Sequence, residues 1–366
     1  MNFHLWSPGF TGFEGGIGAF SRELAVALRD LGHDLRLTGL LDSPGTWHGF
    51  PLAGGGASPS ILRTPRFAAR ALMACARHRP DHVISAHVNF GPLAHWAKRA
   101  FGTPFTLVAH GIDVHEDRLS SARRAGLRAA DRVVAVSSWT RQRVLAIGGI
   151  EPARVAVLPN TVDEARFTVT ARPEGLARRY NLQAVEKVIL TVARLDPDEG
   201  YKGYDRIVEA LPAVQAACGP VRFLLVGQGD DGARLEAMAR DLGVAHALTL
   251  AGFVPDDELA DHYRLADVFA MPSTGEGFGI VFLEAMACGT PVLAGNCDGS
   301  VDALDGGRLG KLVDPMDVDA IANGIIAILK RQGPGWWFDR HSLHDTVTER
   351  FGRAAFREAL RKVLCF

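Results

Sequence analysis

The chain alternates short, continuous runs of apolar residues with longer segments in which apolar residues recur at helical spacing. Strands of a parallel sheet show the first pattern because helices cover both faces of the sheet, and those helices show the second. The pattern therefore predicts an α/β fold made of βα units. The predicted strands are residues 3–6, 34–40, 82–85, 105–109, 133–136, 155–158, 188–193, 223–226, 248–251, 268–270 and 292–294.

The length of the chain and the alternation of predicted strands and helices divide it into two doubly wound domains. A chain of 366 residues is too long for one ordinary core and suits two domains of about 150 residues each. The alternation breaks near residues 168–175, which separates a first domain over residues 1–165 from a second over residues 185–335. A final segment, residues 336–366, completes the chain.

Composition and charge exclude several classes of protein. Apolar residues make up 47% of the chain and charged residues 22%, as in ordinary globular proteins. There is no basic, apolar leader and no apolar run of about 18 residues, so we expect a cytoplasmic protein without a membrane span. The net charge of −1 argues against a general nucleic-acid binder. The five cysteines lack the spacing of a zinc site or redox pair, which favours reduced packing residues.

The strongest candidate site follows the predicted strand 268–270. It reads Ser-Thr-Gly-Glu-Gly-Phe-Gly over residues 273–279 and opens a helix. Gly275, Gly277 and Gly279 let backbone N–H groups approach a ligand, and a helix N-terminus favours negative charge. The segment therefore suits a diphosphate or the hydroxyls of a sugar.

Glu284 lies in the second turn of that helix, whose other faces are also apolar. A carboxylate buried there costs on the order of several kcal/mol unless it is paired or hydrogen-bonded. Two ribose hydroxyls would satisfy it, and an internal arginine would do so equally well. The helix alone leaves both interpretations open.

Two cations flank a turn after the predicted strand 188–193. Arg194 ends this strand, and Lys202 precedes the next predicted helix. A cation at a helix N-terminus is electrostatically disfavoured, and a bound anion would reverse that. The pair is therefore either a diphosphate clamp or two solvated cations. Between them, residues 196–198 have the Asp-x-Asp spacing of a metal site, but the central proline favours a surface turn and we expect no metal.

The first domain offers a glycine loop and a histidine. Residues 15–18, Gly-Gly-Ile-Gly, open a helix. Within it, Gly16-x-Gly18-x-x-Ser21 half resembles a dinucleotide fingerprint, with Asp42 as the acidic partner. The third glycine of that fingerprint is missing, so a phosphate or sugar of a substrate fits Gly16 better than NAD does. His110 ends a strand, where it is either structural or a ligand to a sugar hydroxyl. Asp113 could orient His110 or cap a turn.

Two further features of the first domain allow two interpretations each. Residues 53–59, Ala-Gly-Gly-Gly-Ala-Ser-Pro, predict a flexible surface loop, or else a mobile loop near an acceptor. An arginine-rich segment, predicted as one helix, forms a solvated basic face or rests on an anionic membrane. Its residues are Arg118, Leu119, Arg123, Arg124, Leu127, Arg128 and Arg132.

Taken together, these motifs resemble family 4 of the retaining glycosyltransferases. The resemblance runs through nearly the whole chain. It is carried by Gly-Gly-x-Gly (15–18), Ala-His-Gly-Ile-Asp (109–113), Val-Ala-Val-Ser-Ser (134–138), Val-Leu-Pro-Asn-x-Val-Asp (157–163), Arg194 with Lys202-Gly203, Val-Gly-x-Gly (226–229), Ala-Gly-Phe-Val-Pro (251–255) and Glu276-x7-Glu284. It implies the GT-B fold, in which two facing Rossmann-like domains border a cleft and a C-terminal helix, here within residues 341–364, crosses back to the first domain.

The resemblance also implies a role for each matching residue. His110 and Glu276 would act at the donor sugar as the catalytic residues. The diphosphate would lie on Arg194 and Lys202, although the segment between these two is longer than the family's and leaves the reach of Lys202 open. The donor-binding set implied in this way is Gly16, Arg194, Lys202, Val254, Gly277, Phe278, Gly279 and Glu284. No metal and no cofactor are implied.

The family's chemistry implies transfer of a hexose from a nucleotide diphospho-sugar, GDP-mannose or UDP-glucose, with retention of configuration. The acceptor would be lipid-linked or a polysaccharide of the cell surface, and the first domain could touch the inner face of the membrane. A sugar-nucleotide 2-epimerase is a second interpretation, but its acid/base carboxylates beyond Glu276 cannot be placed. A non-catalytic nucleotide-sugar-binding subunit is a third, and an NAD-dependent oxidoreductase that uses Asp42 is a fourth.

Overall fold

A computed structural model of the chain describes residues 1–11, 15–115 and 119–364. It contains two compact units, each with its own parallel sheet. Unit 1 comprises Met1–Thr161 and Arg353–Phe366, and unit 2 comprises Val162–Gly352. The predicted α/β class with two doubly wound sheets is confirmed. No helix in the described ranges is both long and apolar enough to cross a membrane.

Unit 1 is built on an eight-stranded sheet in the order β3-β4-β2-β1-β5-β6-β7-β8. All neighbouring strands are parallel except β3 and β4, which form an antiparallel pair. The strands are β1 (Asn2–Ser7), β2 (Asp34–Gly39), β3 (Gly45–Trp47), β4 (Phe50–Gly54), β5 (His82–Ser85), β6 (Phe105–Ala109), β7 (Arg132–Ala135) and β8 (Val155–Val157).

The helices of unit 1 cover this sheet and include the last helix of the chain. They are α1 (Gly16–Asp30), α2 (Ser60–His78), α3 (Gly91–Phe101), α4 (Ser121–Ala129), α5 (Ser138–Ala146) and α14 (Arg353–Val363). Helix α14 contacts α1 through a two-point ion pair, in which the Arg353 guanidinium donates to both carboxylate oxygens of Glu23 at 2.7 and 2.6 Å.

Unit 2 is built on a six-stranded sheet in the order β11-β10-β9-β12-β13-β14, parallel throughout. Its strands are β9 (Lys187–Val192), β10 (Val221–Val226), β11 (Leu248–Gly252), β12 (Val268–Met271), β13 (Val292–Gly295) and β14 (Lys311–Val313). Strand order reverses between β9 and β12. Open parallel sheets bind ligands beyond the carboxyl ends of the strands at such a reversal.

The helices of unit 2 are α6 (Glu174–Arg179), α7 (Tyr204–Cys218), α8 (Gly232–Asp241), α9 (Asp256–Leu265), α10 (Ile280–Ala287), α11 (Ser300–Ala303), α12 (Val318–Leu329) and α13 (Arg340–Phe351). Helices α7, α8 and α12 pack on one face of β9, β10 and β12 and form a hydrophobic core with it.

Each predicted strand overlaps an observed one, and their ends differ by at most two residues. The sequence prediction missed β3, β4 and β14, because these lie at or near sheet edges and two of them have only three residues. The prediction of a flexible loop at residues 53–59 is wrong at its start. Ala53 and Gly54 belong to β4, and a Cβ on Gly54 would meet the backbone oxygen of Asp42 at 2.1 Å. These glycines allow backbone packing instead of mobility.

The single final helix predicted over residues 341–364 is two helices. The chain is extended at Gly352 (φ −68°, ψ 170°), which separates α13 from α14. Helix α13 packs against α10 in unit 2, and only the part from Arg353 onward belongs to unit 1. The helix that returns to the first domain therefore starts later than residue 336.

Candidate active site

The candidate site of unit 2 lies beyond the carboxyl ends of β9 and β12, where the strand order reverses. After β9 the chain passes Arg194 and forms a short 3-10 helix, Pro197–Lys202. After β12 it forms the glycine loop that leads into α10. The Thr274 N–H donates to the carbonyl of Tyr201 at 2.8 Å, so the two segments are tied together directly beside Lys202.

Lys202 and Glu276, which the sequence assigned to one ligand, contact each other. The Lys202 ammonium lies 3.2 Å from a carboxylate oxygen of Glu276 and 3.8 Å from one of Glu199. Glu199 also binds the guanidinium of Arg194, whose side chain is 76% exposed. The two predicted clamp cations are therefore linked by one carboxylate.

Glu199 was not predicted as a site residue. It is buried, at 9% exposure, and lies in the segment that is longer than the family's pattern. Burial alone would lower the pKa of Lys202, but the carboxylates of Glu276 and Glu199 outweigh it and hold this pKa above its ordinary value. Lys202 is thus a fixed positive charge at neutral pH, and Glu199 holds both cations in place.

Asp298 accepts hydrogen bonds from the glycine loop and was also not predicted as a site residue from the sequence. Its carboxylate accepts hydrogen bonds from the Ser273 hydroxyl (2.7 Å) and the Glu276 N–H (2.7 Å) through one oxygen, and from the Ser300 N–H (2.9 Å) through the other. Burial raises the pKa of Asp298, and these hydrogen bonds oppose that rise. The backbone position of Glu276 therefore depends on a buried carboxylate that follows β13.

The start of α10 leaves its backbone donors without a side-chain cap. Gly279 adopts a left-handed conformation at φ +88°, and a Cβ there would meet the Phe282 ring at 2.4 Å. Phe278 is buried against Phe351, with ring centroids 5.7 Å apart. The predicted donor residues Gly277, Phe278 and Gly279 thus lead directly into the N-terminus of α10. A helix N-terminus attracts anions.

Glu284 lies one turn into α10 and is partly buried. The Tyr263 hydroxyl donates to its carboxylate at 2.7 Å, so its partner is a tyrosine and not the arginine considered from the sequence. Burial raises the pKa of Glu284 to about 7, and the hydrogen bond from Tyr263 opposes this only in part. The carboxylate thus retains capacity to accept further hydrogen bonds.

Replacing Asp298 with asparagine is expected to lower the free energy of unfolding by about 2–4 kcal/mol, because an amide NH₂ would face buried N–H and O–H donors. Urea unfolding followed by circular dichroism measures the change. The matched control is Asp319→Asn on the exposed first turn of α12, for which we expect a change within about 0.5 kcal/mol. Equal changes in the two variants would show that Asp298 does not support the loop.

Two other sequence predictions fall in unit 2. Val254 is partly buried and lies between β11 and α9. The predicted turn at residues 196–198 is confirmed, because the Asp196 carboxylate accepts from the Asp198 N–H at 3.0 Å and begins the 3-10 helix. Within the described part of the chain, no three His, Cys, Asp or Glu side chains are grouped so that they could hold a metal ion.

His110 follows β6 in unit 1. Its Nε2 lies 2.8 Å from the carbonyl oxygen of Ala86, and Phe20 packs edge-on against its ring. A carbonyl can only accept, so Nε2 carries the proton and Nδ1 is left as an acceptor in the neutral ring. Burial lowers the pKa of His110, which keeps the ring neutral. Asp113 accepts from the backbone N–H of His110 at 2.8 Å, so it caps a turn and does not orient the imidazole.

The glycine loop of unit 1 is described from Gly15 onward. Gly16 is the exposed first residue of α1, and no side chain caps this helix. Asp42, the acidic partner expected of an NAD site, is buried and accepts from the N–H groups of Phe10 (2.8 Å) and Thr11 (2.7 Å) and from the Thr11 hydroxyl. Both carboxylate oxygens are thus used within the protein, which removes the residue that would bind the ribose of NAD.

The arginine-rich segment is only partly helical. Arg118 lies outside the described residues, α4 ends at Ala129, and Arg132 belongs to β7. Arg128 donates to the carbonyls of Ile147 and Gly148, and Arg132 donates to that of Val363. These two side chains hold unit 1 together, so they are not available as a membrane-binding face.

Comparison with known proteins gives a consistent result for both units. Residues 14–166 match the family model described as Glycosyltransferase Family 4, and residues 186–331 match Glycosyl transferases group 1. In solved structures, the sucrose-phosphate synthase of Thermosynechococcus elongatus has a similar fold, with a TM-score of 0.81 and 23% identity over 99% of this chain and 98% of that one.

Curated relatives are more similar in sequence. A GDP-mannose-dependent alpha-(1-6)-phosphatidylinositol monomannoside mannosyltransferase of Mycobacterium tuberculosis is 38% identical over 288 residues, which cover 74% of this chain and 72% of that protein. A D-inositol 3-phosphate glycosyltransferase of Acidothermus cellulolyticus is 35% identical over 292 residues, 72% of this chain and 63% of that protein. The chain spans 62% to 72% of the length of the mannosyltransferases that it matches. The chain is 38% identical to a curated relative over 74% of its length, and each of its two α/β units is built on a mainly parallel sheet. The chain therefore belongs to family 4 of the glycosyltransferases, which have the GT-B fold.

Proposed function

We propose that this glycosyltransferase transfers mannose from GDP-mannose, with retention of configuration, to a hydroxyl of a lipid-linked glycan acceptor at the cytoplasmic face of a membrane. The relative of Mycobacterium tuberculosis is named for GDP-mannose and for a phosphatidylinositol-linked acceptor, which supports both parts of the proposal. The observation that carries it is the position of Lys202, 3.2 Å from Glu276 at the uncapped start of α10.

We assign the donor to this part of unit 2. Its diphosphate would bind between Arg194, Lys202 and the N–H groups at the start of α10, because all of these are positive or donate hydrogen bonds. The Glu276 carboxylate and the backbone of residues 277–279 would hold the sugar hydroxyls. Glu284 would accept from the ribose hydroxyls, and Val254 would border the base. In unit 1, Gly16 is proposed for a phosphate or acceptor contact and His110 for a sugar hydroxyl.

The reaction needs stabilisation of a leaving diphosphate. The bond between the anomeric carbon and the β-phosphate oxygen breaks, and a bond to the acceptor oxygen forms on the same face, which gives retention. The acceptor proton passes to the departing phosphate oxygen. Lys202 and Arg194 offset the negative charge that develops there, and such fixed charges contribute strongly to rate. His110 of unit 1 would accept a hydrogen bond from a sugar hydroxyl through Nδ1.

A thermal-shift panel tests the donor. GDP-mannose at about 100 times its dissociation constant should stabilise the protein by about 2.7 kcal/mol, which raises Tm by several degrees. UDP-glucose at the same concentration should raise Tm less. Equal or larger stabilisation by UDP-glucose would overturn the assignment of the donor. Proton NMR of the product tests the stereochemistry, because an α-linked mannoside formed from GDP-α-mannose indicates retention and a β-linked product indicates inversion.

A further inference from the structure

The strand order of unit 1 reverses between β1 and β5. Open parallel sheets bind ligands beyond the carboxyl ends of their strands at such a reversal. His87 is the second residue after β5, and His110 is the first residue after the neighbouring strand β6. The short 3-10 helices that follow them, Val88–Phe90 and Ile112–Val114, contact each other. His87 therefore lies beside His110 at the edge where a ligand of unit 1 is expected.

Two hydrogen bonds hold His87 in place. Its carbonyl accepts from the Ser85 hydroxyl at 2.7 Å, and its Nδ1 accepts from the Asn89 N–H at 3.1 Å. Burial lowers the pKa of His87 to about 4, so the ring is neutral at physiological pH. Because an N–H can only donate, Nδ1 carries no proton and the proton is on Nε2. Among the residues that the structure describes, this Nε2–H has no partner.

His110 presents the complementary atom. Its Nε2–H donates to the Ala86 carbonyl, and its Nδ1 is an acceptor that no described residue occupies. The centroids of the His87 and His110 rings are 6.3 Å apart. A hydroxyl oxygen bonded to a ring nitrogen at about 2.8 Å lies about 4 Å from the centre of that ring, so this spacing allows one oxygen to bond to both rings. A hydroxyl can accept from one ring and donate to the other, which an ammonium group or an ionised phosphate oxygen cannot do.

Asp113 adds a second acceptor. Its Oδ1 accepts from the His110 N–H at 2.8 Å, whereas its Oδ2 is buried and has no hydrogen-bond partner in the described part of the chain. Burial lowers the pKa of both His87 and His110, and the charge of Asp113 opposes this in both, so its carboxylate lies near both rings. A buried acceptor without a partner is destabilising, and a ligand hydroxyl that donates to Oδ2 would satisfy it. The three free atoms are therefore one donor and two acceptors.

We propose that His87, His110 and Asp113 form a polyol subsite, which binds two neighbouring hydroxyls of an uncharged ring such as a hexose or a cyclitol. One hydroxyl accepts from Nε2 of His87 and donates to Nδ1 of His110, and the next donates to Oδ2 of Asp113. His87 and Asp113 are then specificity residues in addition to His110. The inference rests on the proposed function for the class of ligand, which is either a ring of the acceptor or the sugar of the donor.

Ligand-observed NMR titration of the full chain with methyl α-mannoside and with myo-inositol tests the subsite. The wild type should bind at least one of the two with a Kd on the order of 1–10 mM, as a few neutral hydrogen bonds allow. Analogues that lack either of two neighbouring hydroxyls should bind about tenfold more weakly, and analogues that lack any other hydroxyl should bind as the parent does. No binding of either polyol up to about 100 mM, or no loss with any deoxy analogue, would overturn the proposal.

Two substitutions of His87 separate its contact with the ligand from its part in the fold. Asparagine keeps an oxygen near the position of Nδ1, which can accept from the Asn89 N–H, but it has no group at the position of Nε2. Glutamine places an NH₂ donor near the position of Nε2 and gives up the bond to Asn89. His87→Asn should weaken polyol binding about tenfold with little change in Tm, whereas His87→Gln should bind within about threefold of the wild type and have a lower Tm. Equal weakening in both variants would assign His87 to the fold alone and contradict the subsite.

Asp113→Asn tests the second acceptor. The asparagine oxygen can still accept from the His110 N–H, but an NH₂ donor replaces the free Oδ2. We expect about tenfold weaker binding of the parent polyol, and no further loss when the hydroxyl that bonds to Oδ2 is also missing. The matched controls are Asp34→Asn at the amino end of β2 and His78→Asn at the end of α2, both exposed, which should bind as the wild type does. A loss in the controls equal to that in Asp113→Asn would rule out a specific contact.

The GDP-mannose thermal shift distinguishes the two sources of the polyol. If the subsite binds the acceptor, methyl α-mannoside binds alongside GDP-mannose and His87→Asn leaves the shift unchanged. If it binds the sugar of the donor, the two ligands compete and His87→Asn reduces the shift. A missing GDP-mannose shift with intact polyol binding that depends on His87 would contradict the proposed donor alone. A normal shift in the wild type and in His87→Asn, with no polyol binding, would contradict the polyol subsite alone.

Discussion

Replacing Lys202 with methionine is expected to lower kcat/KM for sugar transfer by about 10²–10³-fold, the usual effect of removing one fixed donor from a developing negative charge. The ammonium group is held 3.2 Å from Glu276, and its side chain is only 15% exposed. Methionine keeps a similar length and removes the charge. Initial rates of mannose transfer at varied GDP-mannose, with the acceptor in excess, measure the effect.

The matched control is Lys187→Met. Lys187 begins β9, at the opposite end of the same strand, and pairs with Asp267 at 3.5 Å. This variant removes a lysine from unit 2 without a change near α10. Its kcat/KM should stay within about twofold, because surface substitutions of this kind change the free energy of unfolding by about 0.5 kcal/mol or less. Equal losses in both variants would rule out a specific role for Lys202.

Lys202→Met also leaves Glu276 and Glu199 without their shared cation. An uncompensated buried charge can cost about 3–5 kcal/mol, so part of the loss could come from the fold. Lys202→Met/Glu199→Gln separates the two effects, because it removes a carboxylate that the ammonium group neutralised and that has no assigned contact with the donor. This double variant should recover much of the lost free energy of unfolding and none of the lost transfer rate. Recovery of transfer would contradict the proposed role.

Several residues that the sequence predicted for the donor lie close together in the structure because they follow neighbouring strands. Arg194 and the glycine loop come directly after β9 and β12, and the carboxyl ends of parallel strands meet at one edge. The direct contact between Lys202 and Glu276 could not be predicted, because the two are 74 positions apart and their contact depends on the order of strands in the sheet.

Asp298 and Glu199 were missed for different reasons. Asp298 lies three residues after β13, so the rule that polar residues at strand ends mark a site could have found it. Glu199 lies in a segment with no regular pattern, and only the 3-10 helix turns its carboxylate toward Arg194 and Lys202.

Replacing Glu284 with glutamine is expected to weaken GDP-mannose binding by about 10–10²-fold at pH 8, because hydrogen bonds to a charged acceptor contribute about 1.5–3 kcal/mol each. The wild type should also bind more tightly as pH rises. Ribose hydroxyls donate to the ionised carboxylate, and the pKa of Glu284 is raised to about 7 by burial. Below that pH a proton must leave before the donor binds, so Kd should fall about tenfold per pH unit up to pH 7 and then level off.

Isothermal titration calorimetry between pH 5.5 and 8.5 measures this dependence. At the lower pH values, buffers of different ionisation enthalpy should reveal release of up to one proton on binding. Glu284→Gln should bind with no dependence on pH in this range. Tyr263→Phe removes the hydrogen bond that lowers the pKa of Glu284, so it should move the midpoint to higher pH. A pH-dependent Kd in Glu284→Gln would assign the titration to another group.

The raised pKa of Glu284 also predicts how stability depends on pH, and the direction is opposite to that of donor binding: stability falls as pH rises. A carboxyl group whose pKa is raised in the folded state stabilises the protein below its ordinary value of 4.5, and this contribution is lost as pH rises through about 7. Glu284→Gln removes the cost of the ionised form, so at pH 8 the variant should unfold at a higher urea concentration than the wild type while it binds the donor less well. A residue that serves only the fold would lose stability when replaced. Higher stability with weaker binding therefore indicates that Glu284 is kept for the donor.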